Sequence, residues 1–237
     1  MTDGLYPTLA RQSGLLREMD VIAQNIANAN TTGYRAEGLI FSEHVVRTGR
    51  DAPSISFASA TGRQTRFEQG GLEQTGGTFD IAIEGEGYFL VEVEGEPRLT
   101  RAGAFTAGAD GTLVTPEGHP VLDEGGAPLV LPGGPEKVGI APDGTVSSDG
   151  QPIAKLAVVV PEDPGAMRRQ AATTFQAEAY RPVDAPQVRQ GFLEASNVDP
   201  VTEIARMVTV QNAYKMGQGF MDREDDRMRS MLRLLDQ

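Results

Sequence analysis

The sequence predicts a mixed α and β protein: N- and C-terminal helices pairing as a coiled-coil-like hairpin, with a mainly antiparallel β central domain inserted between them. Three observations carry that prediction. Met207, Val210, Tyr214, Gly217, Met221, Glu224, Met228, Met231 and Leu235 recur at alternating spacings of three and four, and seven of these nine are apolar or aromatic. That is the period of a helix lying along another helix. Near the other end, Leu5, Leu9, Leu15/Leu16, Met19, Ile22/Ala23 and Ile26 repeat at helical spacing. Between the two, 14 of the 15 prolines fall from Pro53 to Pro200 and 22 of the 28 glycines from Gly33 to Gly150, a composition that punctuates strands and interrupts helices.

Taken in order, residues 1–33 hold the N-terminal helix. Asp3 is placed to cap it, Gln12 and Gly14 are its weak points, and Asn28-Ala29-Asn30-Thr31-Thr32-Gly33 should stop it. Residues 34–75 have weak periodicity and read as an extended connecting arm with one strand near Ser54–Phe57. Residues 76–196 read as a β-rich outer domain. There Ile81 and Ile83 alternate, then Phe89, Val91 and Val93, and Glu94-Gly95-Glu96-Pro97 turns that run into a hairpin. Turn signals at Asp110-Gly111, Glu117-Gly118, Gly125-Gly126, Pro132-Gly133-Gly134, Asp143-Gly144 and Asp149-Gly150 mark short antiparallel strands. Leu156–Val160 is an apolar run with the length of a buried strand, and Gln176–Tyr180 and Val188–Leu193 return the chain toward its end. Residues 197–237 complete the helical domain. Asp199 caps this helix, Pro200 takes the first position, where its missing N–H costs nothing, and Glu203 suits the positive end of the dipole.

Neither helix buries its stripe alone, so each is the natural partner of the other, in the same chain or in neighbouring ones. The C-terminal stripe outruns the N-terminal one, which leaves its outer half for neighbouring subunits; Met221, Met228 and Met231 fall there, and methionine adapts to varied surfaces. The expected assembly interface is therefore Leu5, Leu9, Leu16, Met19, Ile22 and Ile26 on the first helix. On the second it is Met207, Val210, Tyr214, Met221, Met228, Met231 and Leu235.

The net charge of −12 sits almost wholly in the middle: residues 36–196 carry 23 acids and 12 bases, whereas the two ends are near neutral. An acidic middle argues against nucleic acid or an anionic membrane as partner. The absence of cysteine excludes disulfides and thiolate metal sites. No run of 18 apolar residues is present, so an integral membrane protein is not expected. The first ten residues lack the basic and apolar regions of a cleaved secretory signal.

Candidate chemistry is sparse. His44 and His119 are the only histidines, and both read as loop or surface residues. No Gly-x-Ser-x-Gly elbow exists. Glu84 and Glu86, with Glu92, Glu94 and Glu96, offer paired carboxylates of the kind a glycosidase uses, against the simpler reading of a solvated hairpin face. Gly85-x-Gly87 lacks a phosphate-loop context. Asn25 either fixes register as a polar residue in a helical seam or belongs to the helix stop; Asn28 and Asn30 belong to the stop. No catalytic residue, cofactor or small-molecule substrate is expected.

Four stretches resemble the bacterial flagellar rod and hook family. They are Asn25-Ile26-Ala27-Asn28-Ala29-Asn30-Thr31-Thr32-Gly33-Tyr34; Gln69-Gly70-Gly71-Leu72-Glu73-Gln74-Thr75-Gly76-Gly77 with Phe79 to Phe89; Thr100-Arg101-Ala102-Gly103-Ala104-Phe105 with Gly111 to Thr115; and Gln190-Gly191-Phe192-Leu193-Glu194-Ala195-Ser196-Asn197-Val198 running on to Gln211-Asn212-Ala213-Tyr214. They occur in the family's order and spacing, and Tyr88 departs from the tryptophan or phenylalanine of many members. The length and the opening Leu5-Tyr6…Leu9-Ala10-Arg11-Gln12 are most similar to proximal-rod members, with the distal rod as the near alternative. A secreted β-rich glycan-binding or glycan-acting module is the alternative of another class. The resemblance implies a non-enzymatic structural subunit, exported through the flagellar type III apparatus without signal cleavage. It also implies polymerisation with copies of itself and other rod subunits into an axial shaft crossing the periplasm.

Overall fold

The computed structural model describes residues 5–46, 55–132 and 138–235. Asp3, Ser54 and the Gly133-Gly134 turn lie outside the described residues. The chain separates into two compact units, one holding residues 1–27, 36–66 and 199–237 and the other residues 28–35 and 67–198.

The first unit is built on two helices, α1 (Leu5–Ala27) and α2 (Pro200–Leu235). They pack in opposite directions. Gln12 Nε2 donates to the Tyr214 carbonyl at 2.9 Å, and six residues further along α1 Glu18 meets Arg206, earlier in α2, at 2.7 Å. Val21, Ile22 and Val210 are buried on these helices. Asp199 caps α2: its Oδ1 accepts the Val201 N–H at 3.0 Å and its Oδ2 accepts the Thr202 hydroxyl at 2.6 Å. These bonds satisfy donors that the helix itself leaves open.

Residues 34–75 differ from the expected arm. Within them, β1 (Glu37–Val46) and β2 (Ile55–Thr65) form a long antiparallel ladder with one register shift at Ile40/Phe41. Its sequence hides it, because Glu37-Gly38-Leu39-Ile40-Phe41-Ser42 does not alternate. The ladder is fastened to α1 by Asn25, which is fully buried. Its Nδ2 donates to the Glu37 carbonyl at 2.8 Å and its Oδ1 accepts the Glu37 N–H at 2.9 Å. Asn25 thus does what a neighbouring strand would do for Glu37, and the seam and helix-stop readings both give way to this role.

Among its described residues, the regular structure of the second unit is all β apart from a single 3-10 turn at Pro164–Ala166. Its six-stranded sheet runs in the order Arg168–Arg169, Thr174–Gln176, Glu96–Thr100, Tyr88–Val93, Val158–Pro161, Tyr180–Pro182, antiparallel at every pairing. The central strand is buried on both faces. Phe89 and Val91 join Ile81, Phe105, Leu113 and Val158 in the larger core, while Tyr88 and Leu90 join Leu99, Val159 and Phe175 in a smaller one. The Phe89–Val91–Val93 alternation shows one of these faces only. The hairpin turns on Glu94-Gly95, both at positive φ, and Pro97 lies within the returning strand opposite Glu92. A two-residue turn of this hand matches the twist of the strands it joins. Val188–Gln190 pairs with Ile81–Ile83, and after Gly191 the chain pairs Phe192–Glu194 with Leu72–Gln74.

Candidate functional site

The helices place the predicted interface residues in three environments. Val210 and Ile22 are buried, and Met19, Ile26, Met207, Tyr214 and Met221 are half-buried. Leu9, Leu16, Met228 and Met231 are exposed, each by 41% or more. The side chains of Leu5 and Leu235 lie outside the described residues. Of the adjacent pair Leu15/Leu16, Leu15 turns inward and Leu16 outward, and Gln12, a weak point in the sequence pattern, is 6% exposed. A second apolar line, Val201, Ile204 and Val208, runs exposed along the opposite side of α2, and Met216 and Phe220 are exposed further along the helix. The three-four stripe drew attention to the inner face and left this outer one unread.

In the second unit the motif stretches converge on one buried carboxylate. Glu194 is 1% exposed and stands between two guanidinium groups. Arg101 Nη2 lies 2.6 Å from its Oε2, with Nε donating to the same oxygen at 2.8 Å, and Arg35 Nη1 lies 2.8 Å from Oε1. The Gly70 N–H donates to Oε1 at 3.2 Å and Gln69 Nε2 to Oε2 at 3.5 Å. The Glu194 carbonyl accepts the Gly33 N–H at 2.7 Å. Arg101 spends its remaining donors on the Ile83, Gly85 and Gly87 carbonyls, so the Glu84–Gly87 loop is gathered in as well.

The packing around this cluster explains its glycines. Gly33 sits at φ +67, and a Cβ there would fall 2.4 Å from the Arg101 carbonyl carbon; a Cβ on Gly70 would fall 2.0 Å from the Ala195 carbonyl oxygen. The Arg169 guanidinium lies 4.7 Å from both the Tyr34 and Phe175 ring centres and donates to the Arg35 carbonyl, tying the same cluster to the six-stranded sheet. Burial lowers the Arg35 guanidinium pKa, opposed by the Glu194 charge, and burial pushes the Tyr88 hydroxyl up. A cleft of about 490 Å³ opens beside the cluster, lined by Arg35, Tyr88, Arg101, Glu86 and Glu162 among others. Its two innermost cations, Arg35 and Arg101, are already committed to Glu194.

The other chemistry candidates fall elsewhere. Glu84 makes an exposed ion pair with Arg189 at 2.7 Å, and Glu94 and Glu96 are exposed on the hairpin. The His119 N–H donates to the Thr115 hydroxyl within a turn, and the His44 side chain lies outside the described residues. Among the described residues no three His, Asp or Glu side chains form a group that could hold a metal ion, and no helix is long and apolar enough to cross a membrane.

The chain thus combines two terminal helices that keep exposed apolar surface with a β unit cinched at one buried carboxylate. Comparison with known proteins gives this combination its family. Residues 9–35 match the model described as flagella basal body rod protein, residues 82–163 the flagellar hook protein FlgE/F/G D1 domain, and residues 189–234 the flagellar basal body rod FlgEFG protein C-terminal region. The chain is 37% identical to the flagellar basal-body rod protein FlgF of Caulobacter vibrioides over 99% of its own length and 98% of that protein. It is 39% identical to FlgF of Mesorhizobium japonicum over 91% of this chain and 90% of that one. It is 27% identical to FlgG of Bacillus subtilis over 99% of each. The chain belongs to the flagellar basal-body rod protein family and is a structural rod subunit.

Proposed function

We propose that this subunit occupies the proximal rod and polymerises through its terminal helices, with α1 and α2 forming a coiled-coil-like hairpin and the β unit facing outward. The observation that supports this reading is the exposure of Leu9, Leu16, Met228 and Met231 on helices whose inner faces already have a partner. Exposed apolar side chains clustered on one element mark a surface that another chain covers. The covering chains are copies of this one and other rod subunits. The similarity to FlgF across nearly the whole chain favours the proximal over the distal position.

In this reading residues 1–33 and 197–237 form the helical core, 34–75 connect it through the β1–β2 ladder that is fastened to α1, and 76–196 form the outer β domain. The subunit leaves the cell through the flagellar export apparatus without signal cleavage and joins the shaft that crosses the periplasm. It is not an enzyme and needs no cofactor. Deletion followed by imaging of isolated basal bodies tests the position: loss of every rod segment beyond the inner-membrane ring is expected, and a retained proximal stub would place the subunit distally. Met228→Glu tests the surface. It should block rod formation while the β unit keeps its fold, and normal rods from this variant would refute the helix-mediated assembly.

A further inference from the structure

The pairing of α1 with α2 leaves a groove of about 380 Å³ on the first unit. Leu15, Ala213, Met216 and Phe220 give it apolar walls, and Gln12 forms part of its lining. Gly217 makes room for that amide, since a Cβ there would fall 2.2 Å from Gln12 Nε2. The amide is only half satisfied. Nε2 donates to the Tyr214 carbonyl, but the buried Oε1 has no hydrogen-bond partner among the described residues. A buried acceptor left open carries the full cost of its lost hydration, so whatever fills the groove should bring a donor.

A surface with the matching chemistry lies on the same unit. Val201, Ile204 and Val208 are exposed at 76%, 52% and 52%, and the next residue in that helical line is the exposed Asn212. This face is apolar with one amide donor, and the groove is apolar with one amide acceptor. The groove lining carries one charged residue, Arg11, and none of Val201, Ile204, Val208 and Asn212 is charged, so no like charges oppose the match. The two surfaces use different parts of α2, so one molecule cannot satisfy itself through them.

We infer that the Gln12 groove of one copy receives the Val201–Ile204–Val208–Asn212 face of a second copy, with Asn212 Nδ2 donating to Gln12 Oε1. Such a contact is heterologous, head to tail, and leaves a free groove and a free face at the two ends of any open chain of copies. It therefore propagates. The inference rests on the rod reading for self-association and adds which surfaces meet and in what sense.

The chain has no cysteine, so two single-cysteine variants, Leu15→Cys and Val208→Cys, report the contact directly. Thr8→Cys, also on the groove, replaces the first if Leu15→Cys does not fold by circular dichroism. Mixed under oxidising conditions at concentrations where the wild-type chain associates by sedimentation, the pair should give a cross-linked heterodimer, and the doubly substituted chain a ladder. Val208→Asp should weaken association at least about tenfold, as loss of a buried apolar contact does. Association without this cross-link would overturn the groove while leaving helix-mediated assembly standing. A groove cysteine that pairs only with itself, or a cross-link that needs a different rod protein, would also overturn it. A wild-type chain that stays monomeric at every concentration and only stacks with other rod proteins would overturn self-association and the groove together.

Discussion

Arg101 and Glu194 stand 93 residues apart in the sequence and meet through two hydrogen bonds between Arg101 nitrogens and one carboxylate oxygen, both side chains 2% exposed or less. Arg35 engages the other oxygen. Breaking such a buried pair from one side is costly because the remaining charge keeps its burial and loses its partner. Glu194→Gln preserves the size of the side chain and leaves two buried cations facing a neutral amide. We expect it to lower the stability of the β unit by about 3–5 kcal/mol, read as an earlier urea midpoint for the full-length chain.

Gly70 and Gly71 are neighbours with opposite expected responses to alanine. A Cβ on Gly70 would meet the Ala195 carbonyl oxygen at 2.0 Å, whereas one on Gly71 meets nothing within 4 Å. Gly70→Ala should destabilise by about 1–3 kcal/mol or more, as overpacking against backbone does. Gly71→Ala should fall within about 1 kcal/mol of the parent and can stabilise by limiting the unfolded chain. Thermal unfolding of the two variants side by side checks the contrast.

Asn25→Asp keeps the acceptor for the Glu37 N–H and removes the donor for the Glu37 carbonyl. A buried carboxylate oxygen then faces that carbonyl. The expected loss is about 1–3 kcal/mol, confined to the first unit, and amide exchange at residues 37–40 should accelerate before exchange in the six-stranded sheet does.

Asp199 has its carboxyl pKa lowered by the Thr202 hydroxyl first, then by the Thr202 and Val201 N–H groups. A group whose folded pKa lies below its unfolded value stabilises the fold above the unfolded value, near about 3.9 for aspartate, and loses that contribution as pH falls through the folded value. The start of α2 should therefore be intact at neutral pH and fray under acid. Thr202→Val should raise the Asp199 titration toward the ordinary aspartate range and move the fraying to higher pH. NMR titration of the Asp199 carboxyl, with the Val201 and Thr202 amides as reporters, measures both.

Much of this fold is legible in the residues. Asp199-Pro200 announces the start of α2, the run of three-four spacings selects its inner face through Met221, and Ile81–Ile83 and Tyr88–Thr100 read as strands because they alternate between turn residues. What stays hidden depends on distance along the chain. Glu194 and Arg101 sit inside recognisable stretches, yet nothing local says that a carboxylate and a guanidinium far apart in the sequence share one buried spot. The β1–β2 ladder is hidden for another reason, since its outer positions lack the alternation that a strand with one buried face shows. Asn25 is hidden for a third, because a lone polar residue in a helix looks the same whether it stops the helix or holds a strand.

The backbone passes between the two units four times, after residues 27, 35, 66 and 198. Beside three of those passages stand Arg35, Glu68 with its neighbours Gln69 and Gly70, and Asn197. Arg35 donates to the Glu68 carbonyl, Asn197 Nδ2 donates to it at 2.8 Å, and the Asn197 N–H reaches the Tyr34 carbonyl at 3.3 Å. With Glu194 at their centre, these threads are knotted together before any of them enters the sheet. In a rotating shaft, torque carried along the polypeptide from the helices would reach this knot first.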